Sequence, residues 1–210
     1  MPFALPRFPV YVFDLDGTLM DSARDICGAI QEVLAANGRP DIPDAHLRRY
    51  IGRHLLDMFY DFGFTDRQID PMIEHYRRIY PARLHAQTAP MPGVPEMLAG
   101  LGGRKTTATI KSTANTRIIL EQFGLLQHFE HVQGTDNFPS KPRPDVIFHS
   151  LEALGAEPSE CLMIGDSAAD MEAGRLAGVK ICGVRYGYGD LKEMAKFEPD
   201  YWIDDPRELL

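Results

Sequence analysis

Cysteine is scarce in this 210-residue chain: Cys27, Cys161 and Cys182 are the only three, far apart and never in a C-x-x-C pair. That excludes a disulfide framework and a thiolate zinc site, and points to a reducing compartment with the thiols buried as small hydrophobes. Lysine and arginine are short too, 22 against 30 Asp and Glu, and no basic run interrupts the net charge of −8. Such a surface releases few counterions from nucleic acid or an anionic membrane, so neither is an expected partner. Long hydrophobic runs are missing. The apolar stretch near the start, "MPFALPRFPVYVF", is broken by three prolines and reads as neither signal peptide nor membrane span. There is no internal repeat and no low-complexity tract. With 44% hydrophobic and 25% charged residues, the chain reads as a cytoplasmic globular protein with one sizeable core and room for a smaller attached domain.

What is present begins with "VYVFDLDGTLMDS", Val10 to Ser22: four strand formers run into two aspartates that straddle Leu15. In an extended segment Asp14 and Asp16 project the same way, and two like charges that close repel unless a cation or proton lies between them. A helix follows, with Ile26, Ala29, Ile30, Val33 and Leu34 at helical spacing, Ser22 as its cap, and Gly38 and Pro40 as its stop. The pattern stays helical to about Leu84. From "TAPMPGVPEMLAGLGG" onward strands alternate with helices: "KTTATI", "HVQG", "CLMIG" and "VKICGV" read as strands and the segments between them as helices. That rhythm implies a parallel sheet covered on both faces, interrupted by a helical insert.

Such sheets bind ligands beyond the carboxyl ends of their strands. Asp14 and Asp16 stand at the first such end, and Thr109, Ile110 and Lys111 at the end of "KTTATI". Lys141 stands in the Pro-rigid loop "PSKPRPD", and Asp166 and Asp170, four apart, stand where "GDSAAD" opens a helix. Taken singly, Lys141 reads as a solvated lysine and Thr109 as strand packing. Together, oxygen-only carboxylates without paired histidines suit Mg²⁺ shared with a phosphate. Asp14 then reads as a nucleophile toward phosphorus, Asp16 as acid and base, and Lys141 and Thr109 as holders of the phosphoryl oxygens. The histidines of the insert, His54, His75 and His85, read as surface residues rather than ligands. In "YIGRHLL", Arg53 beside Gly52 reads either as an ordinary surface charge or as the candidate contact for a carboxylate or second phosphate of the substrate.

In this order, "DLDGTLMDS", Thr109, Lys141 in "KPRPD" and "GDSAADMEAGRLAG" resemble the four motifs of the haloacid dehalogenase superfamily, and the tail "GVRYGYGDLKEMAKFEPDYWIDDPREL" resembles its phosphoglycolate phosphatase-like branch. The resemblance implies an α/β fold, a Rossmann-like parallel sheet core of residues 1–20 and 88–210, with an all-helical cap at 21–87 inserted after the first strand. It also implies a Mg²⁺-dependent phosphatase acting on a small phosphorylated metabolite through an aspartyl-phosphate. By matching position, Mg²⁺ is held by the Asp14 carboxylate, the Asp16 backbone carbonyl and Asp166, with Asp170 supporting metal-bound water or Lys141. One position departs: members of this branch often read Thr-Asn-Lys where this chain has "TIK". Ile110 offers phosphate only its backbone N–H. The presence of Asp16 argues against a dehalogenase, while a phosphomutase and a catalytically silent phosphometabolite-binding protein are the competing readings.

Overall fold

The computed structural model describes residues 5–210; the first four residues of the proline-broken N-terminal stretch lie outside them. Strand β1 (Val10–Phe13) is buried at every position. A short strand β2 (Met20–Asp21) follows, then helices α1 (Ala23–Ala36), α2 (Asp44–Leu47), α3 (Leu55–Asp61) and α4 (Asp66–Ala82), and a second short strand β3 (Ala89–Pro90). Beyond these the chain alternates: α5 (Val94–Gly100), β4 (Arg104–Thr107), α6 (Thr113–Gln122), α7 (Asp145–Leu154), β5 (Cys161–Gly165), α8 (Ala168–Ala177), β6 (Lys180–Val184), α9 (Leu191–Ala195) and β7 (Tyr201–Ile203).

The main sheet is parallel throughout, in the order β4-β1-β5-β6-β7. Continuous apolar strands suit such a sheet because helices cover both faces. Alternation divides β1 between them: Tyr11 and Phe13 join a cluster with Leu98 of α5 and Ile119 of α6, while Val10 and Val12 join Ile147 of α7 and Met171 of α8. A third cluster unites the inserted helices, with Ile30 and Leu34 of α1, Leu47 of α2, Phe59 of α3 and Ile69 and Met72 of α4. The fold is therefore the expected α/β arrangement, with a helical layer leaving the sheet just after β1.

That layer is entered and left through one small antiparallel pair, with Met20 opposite Pro90 and Asp21 opposite Ala89. The pair is too short to leave a periodic signal in sequence. β7, at the sheet edge and only three residues long, was equally unmarked. Two predicted strands are shorter than their text. "KTTATI" is a strand only to Thr107, and "HVQG" contributes a single bridge between Gly134 and Thr109. In both, chain that looks β-like is turned by hydroxyls: Thr107 Oγ1 accepts the Gln133 N–H at 2.9 Å, and Thr135 Oγ1 donates to the Thr109 carbonyl at 2.9 Å.

The strand order places a switch point at β1, since the next strand of the main sheet, β4, lies on one side of it and β5 on the other. A crevice opens there beyond the strand ends. Register brings Phe13 level with Thr107 and Ile164, so the residues that follow each strand meet at one end of the sheet. Among the described residues no helix is long and apolar enough to cross a membrane.

Candidate active site

Asp14 leaves β1 with its N–H donated to the Ile164 carbonyl at 2.9 Å, so sheet pairing continues one residue past the strand and fixes where the carboxylate begins. The chain then turns through Gly17, whose φ of +92° is a left-handed value that glycine alone adopts without strain. A Cβ there would run into the Asp166 carboxylate and the Tyr188 ring, so the turn packs directly on the acid that follows β5.

Asp14, Asp166 and Asp170 are all buried and each places a carboxylate oxygen within 4.8 Å of the others. Lys141 reaches into this group from its loop, donating to Asp14 at 2.6 Å and also to Asp170, with its side chain 2% exposed. Asp170 is fully engaged. Its other oxygen accepts the Ser167 N–H at 3.0 Å and the Ser167 hydroxyl at 2.6 Å, a capping box that starts α8. Asp166 accepts the Tyr188 N–H at 2.8 Å and the Thr18 hydroxyl at 3.4 Å.

The electrostatics follow from burial. Desolvation pushes the Asp14 carboxyl up to about 7 against the pull of Lys141, with the charges of Asp170 and Asp16 adding to the rise. Desolvation and the charges of Asp14 and Asp170 hold Asp166 well above the carboxylate range. Burial works to lower the Lys141 ammonium, but Asp14 and Asp170 outweigh it and hold that value above the ordinary one. One ammonium thus stands against three carboxylates. All their donor atoms are oxygen, which suits a hard cation such as Mg²⁺ and not zinc.

Asp16 stands apart from the cluster. Its two oxygens are held by the Lys111 ammonium and by the Ser22 hydroxyl. Ser22 therefore does not cap α1 through its side chain, contrary to the sequence reading, because its hydroxyl turns to the acid instead. Thr109 is fully buried where the chain leaves the sheet, its hydroxyl accepting the Lys111 N–H at 3.3 Å. Ile110 and Lys111 line a cleft of about 790 Å³ that runs from Asp16 outward between the sheet end and the inserted helices. Arg53 lines the same cleft but is not aimed at the acids. It lies over the Tyr50 ring at 5.0 Å and 4.0 Å from Asp61, with half of its side chain exposed. Nor is the insert's histidine set uniformly superficial. His85 is buried against Tyr80, and the exposed His54 bonds Ser140 next to Lys141.

Sequence reasoning missed Lys111, Ser22 and Tyr188. Lys111 is the last letter of "TIK", and nothing in its spacing separates it from a solvated lysine until Asp16 is seen beside it.

The family model described as haloacid dehalogenase-like hydrolase matches residues 11–184, a span that contains every acid and lysine of this site. The chain belongs to the haloacid dehalogenase-like hydrolase family. Among its relatives, the phosphoglycolate phosphatase of Aquifex aeolicus is 33% identical over 96% of this chain and 94% of that protein. A 5'-nucleotidase of Pseudomonas aeruginosa is 32% identical over 95% of this chain and 92% of that protein. A haloacid dehalogenase-like hydrolase from Streptococcus pneumoniae shares the fold with a TM-score of 0.91 at 24% identity, covering 96% of each chain.

Proposed function

We propose that this haloacid dehalogenase-like hydrolase is a Mg²⁺-dependent phosphatase of small phosphomonoesters, phosphoglycolate-like in type, working through an aspartyl-phosphate on Asp14. The observation that carries the reading is that the two acids following β1 answer to different cations, Asp14 to Lys141 and Asp16 to Lys111. One carboxylate thereby lies in the acid cluster and the other at the inner end of the cleft, the side that this reading gives to the alcohol part of a substrate.

In this scheme a carboxylate oxygen of Asp14 attacks phosphorus and the bond from phosphorus to the alcohol oxygen breaks. Asp16 gives that oxygen its proton, then takes one from the water that attacks the acyl phosphate, so phosphate leaves and Asp14 is regenerated. Lys141 and Thr109 hold the non-bridging oxygens, and the Ile110 N–H supplies a further donor. The carboxylates of Asp14 and Asp166 and the backbone carbonyl of Asp16 would hold Mg²⁺, which would supply the positive charge that keeps Asp14 ionised and offsets the charge of the phosphate. Asp170 acts through Lys141, whose ammonium it fixes.

The helices of residues 21–87 are proposed as a cap over the cleft, with Arg53 and the cleft wall setting substrate preference. The test is phosphate release from a panel of small phosphate esters by the wild type and by Asp14→Asn. We expect the variant to lose at least about 10³-fold in rate while still folding. Wild-type turnover in Asp14→Asn would sink the nucleophile assignment, and isomerisation of a sugar phosphate without phosphate release would replace the phosphatase by a mutase.

A further inference from the structure

The loop between β6 and α9, "RYGYGD" from Arg185 to Asp190, touches three parts of the molecule at once. The Tyr186 hydroxyl donates to the Thr18 carbonyl at 3.1 Å, gripping the turn after Asp16. The Tyr188 N–H donates to the Asp166 carboxylate at 2.8 Å. The hydroxyl of the same tyrosine donates to Asp21 at 2.6 Å and accepts the Ala23 N–H at 3.3 Å. Asp21 ends β2 and Ala23 begins α1, so this hydroxyl sits on the strand pair by which the chain enters the inserted helices. The Tyr188 ring packs against both the sheet cluster and the cluster of α1–α4.

Nothing in the loop can slide freely. A Cβ on Gly187 would overlap the Asp166 side chain, and one on Gly189 would overlap the Asp166 carbonyl oxygen. The two glycines let the loop lie directly on Asp166, so a displacement of Tyr188 moves a hydrogen-bond donor of that carboxylate. A swing of α1 about β2 must either break the two hinge contacts of the hydroxyl or drag the loop with it.

We propose that Tyr188 is a positioning residue that couples the hinge of the inserted helices to Asp166, so that Mg²⁺ at the acid cluster and the placement of those helices bias one another. The proposal rests on the reading of that cluster as a Mg²⁺ site. Coupling of this kind is reciprocal: whatever energy Mg²⁺ contributes to the placement of α1, the placement of α1 contributes to Mg²⁺ binding.

Tyr188→Phe tests it, since the variant keeps the ring and the backbone N–H and loses only the hydroxyl. Mg²⁺ affinity is measured by calorimetry, which needs no turnover, and the spread between sheet and inserted helices by a label pair at Arg67→Cys on α4 and Glu152→Cys on α7. Both positions are exposed and the three native thiols are buried, so labelling is selective. We expect Mg²⁺ alone to shift the label distance in otherwise wild-type protein, and Tyr188→Phe to weaken Mg²⁺ binding by about fivefold or more and to remove at least about half of that shift. A smaller loss of affinity, or a distance in the parent that does not respond to Mg²⁺, overturns the coupling. If Tyr188→Phe fails to fold, Asp21→Ala removes the same bond from its other end and is held to the same criteria. A parent that binds no Mg²⁺ overturns the metal reading itself, and the coupling with it. A parent that binds Mg²⁺ beside an unchanged variant overturns the coupling alone.

Discussion

Replacing Lys141 by methionine removes a charge while keeping most of a side chain's length, so it isolates what the ammonium does for the buried acids. Lys141 is bonded to Asp14 at 2.6 Å and to Asp170, and all three side chains are nearly inaccessible to water. Breaking a buried pair by removing one partner costs about 3–5 kcal/mol, because the remaining charge is left without compensation. In a chain of this size each kcal/mol moves the melting temperature by roughly 2–4 °C, so a fall of roughly 6–20 °C is expected where the cost is fully expressed. The pH decides where that is. The Asp14 carboxyl stands at about 7 in the folded protein, against an ordinary 3.8. A group raised in this way favours folding fully below its unfolded value, and that contribution is lost as pH rises through the folded value. Below about 7 Asp14 is neutral with or without the lysine, and only the Asp170 contact is missed. Above it, the wild type holds an ion pair where the variant must either bury a bare carboxylate or keep it protonated. Thermal melts in EDTA at about pH 5.5 and about pH 9 should therefore show a smaller deficit at the first, from the Asp170 pair alone, and the full one at the second. Equal deficits at the two pH values, or none at about pH 9, would refute the assignment of Lys141 as the charge partner of Asp14.

Two further outcomes follow from the same geometry. Lys111→Met removes the ammonium beside Asp16 and should lower kcat for phosphate release by about 10²-fold with a much smaller change in KM, since the lysine acts on the proton carrier; a loss under about threefold would remove Lys111 from the reaction. Mg²⁺ at about 100 times its dissociation constant should stabilise the protein by about 2.7 kcal/mol, a gain of roughly 5–11 °C in melting temperature. At one fixed Mg²⁺ concentration that gain should be larger at about pH 8 than at about pH 5.5, because protons compete for Asp14 and Asp166; an equal gain at both would place the metal elsewhere.

The sheet was legible because its strands are buried on both faces and so carry continuous apolar text: "VYVF" and "CLMIG" are strands as read. Elements without that burden were not legible. "HVQG" has the composition of a strand, yet its residues are held by threonine hydroxyls rather than by a ladder. The buried acids and Lys141 were readable because their order along the chain matches a family's motifs, and the structure brings Asp14, Lys141, Asp166 and Asp170 into one cluster. The partners that support them were not. Ser22 has the sequence position of a helix cap and the spatial position of an Asp16 donor, and only the fold distinguishes the two. Tyr188 lies 22 residues beyond the acid that its N–H holds, a separation with no local period to betray it. Arg53 was marked by its place beside a loop glycine; in the fold it lines the cleft with its guanidinium over Tyr50 and beside Asp61, contacts that no local spacing announces.

The charge balance also orders the events at the site. Asp14, Asp16, Asp166 and Asp170 are buried, and among the described residues the cations bonded to them are Lys111 and Lys141, which leaves two formal negative charges uncompensated when every acid is ionised. Without metal the protein meets that deficit with protons, which is what the raised values of Asp14 and Asp166 express. A divalent cation matches the deficit in full and displaces those protons, so its binding should be accompanied by proton release at neutral pH. A phosphate ester brings further negative charge to acids that already repel one another, and near neutral pH it would meet an Asp14 carboxyl that is in part protonated. On the proposed reading, a cation at these acids before the ester would both offset the repulsion the ester meets and free more of Asp14 to act as the nucleophile.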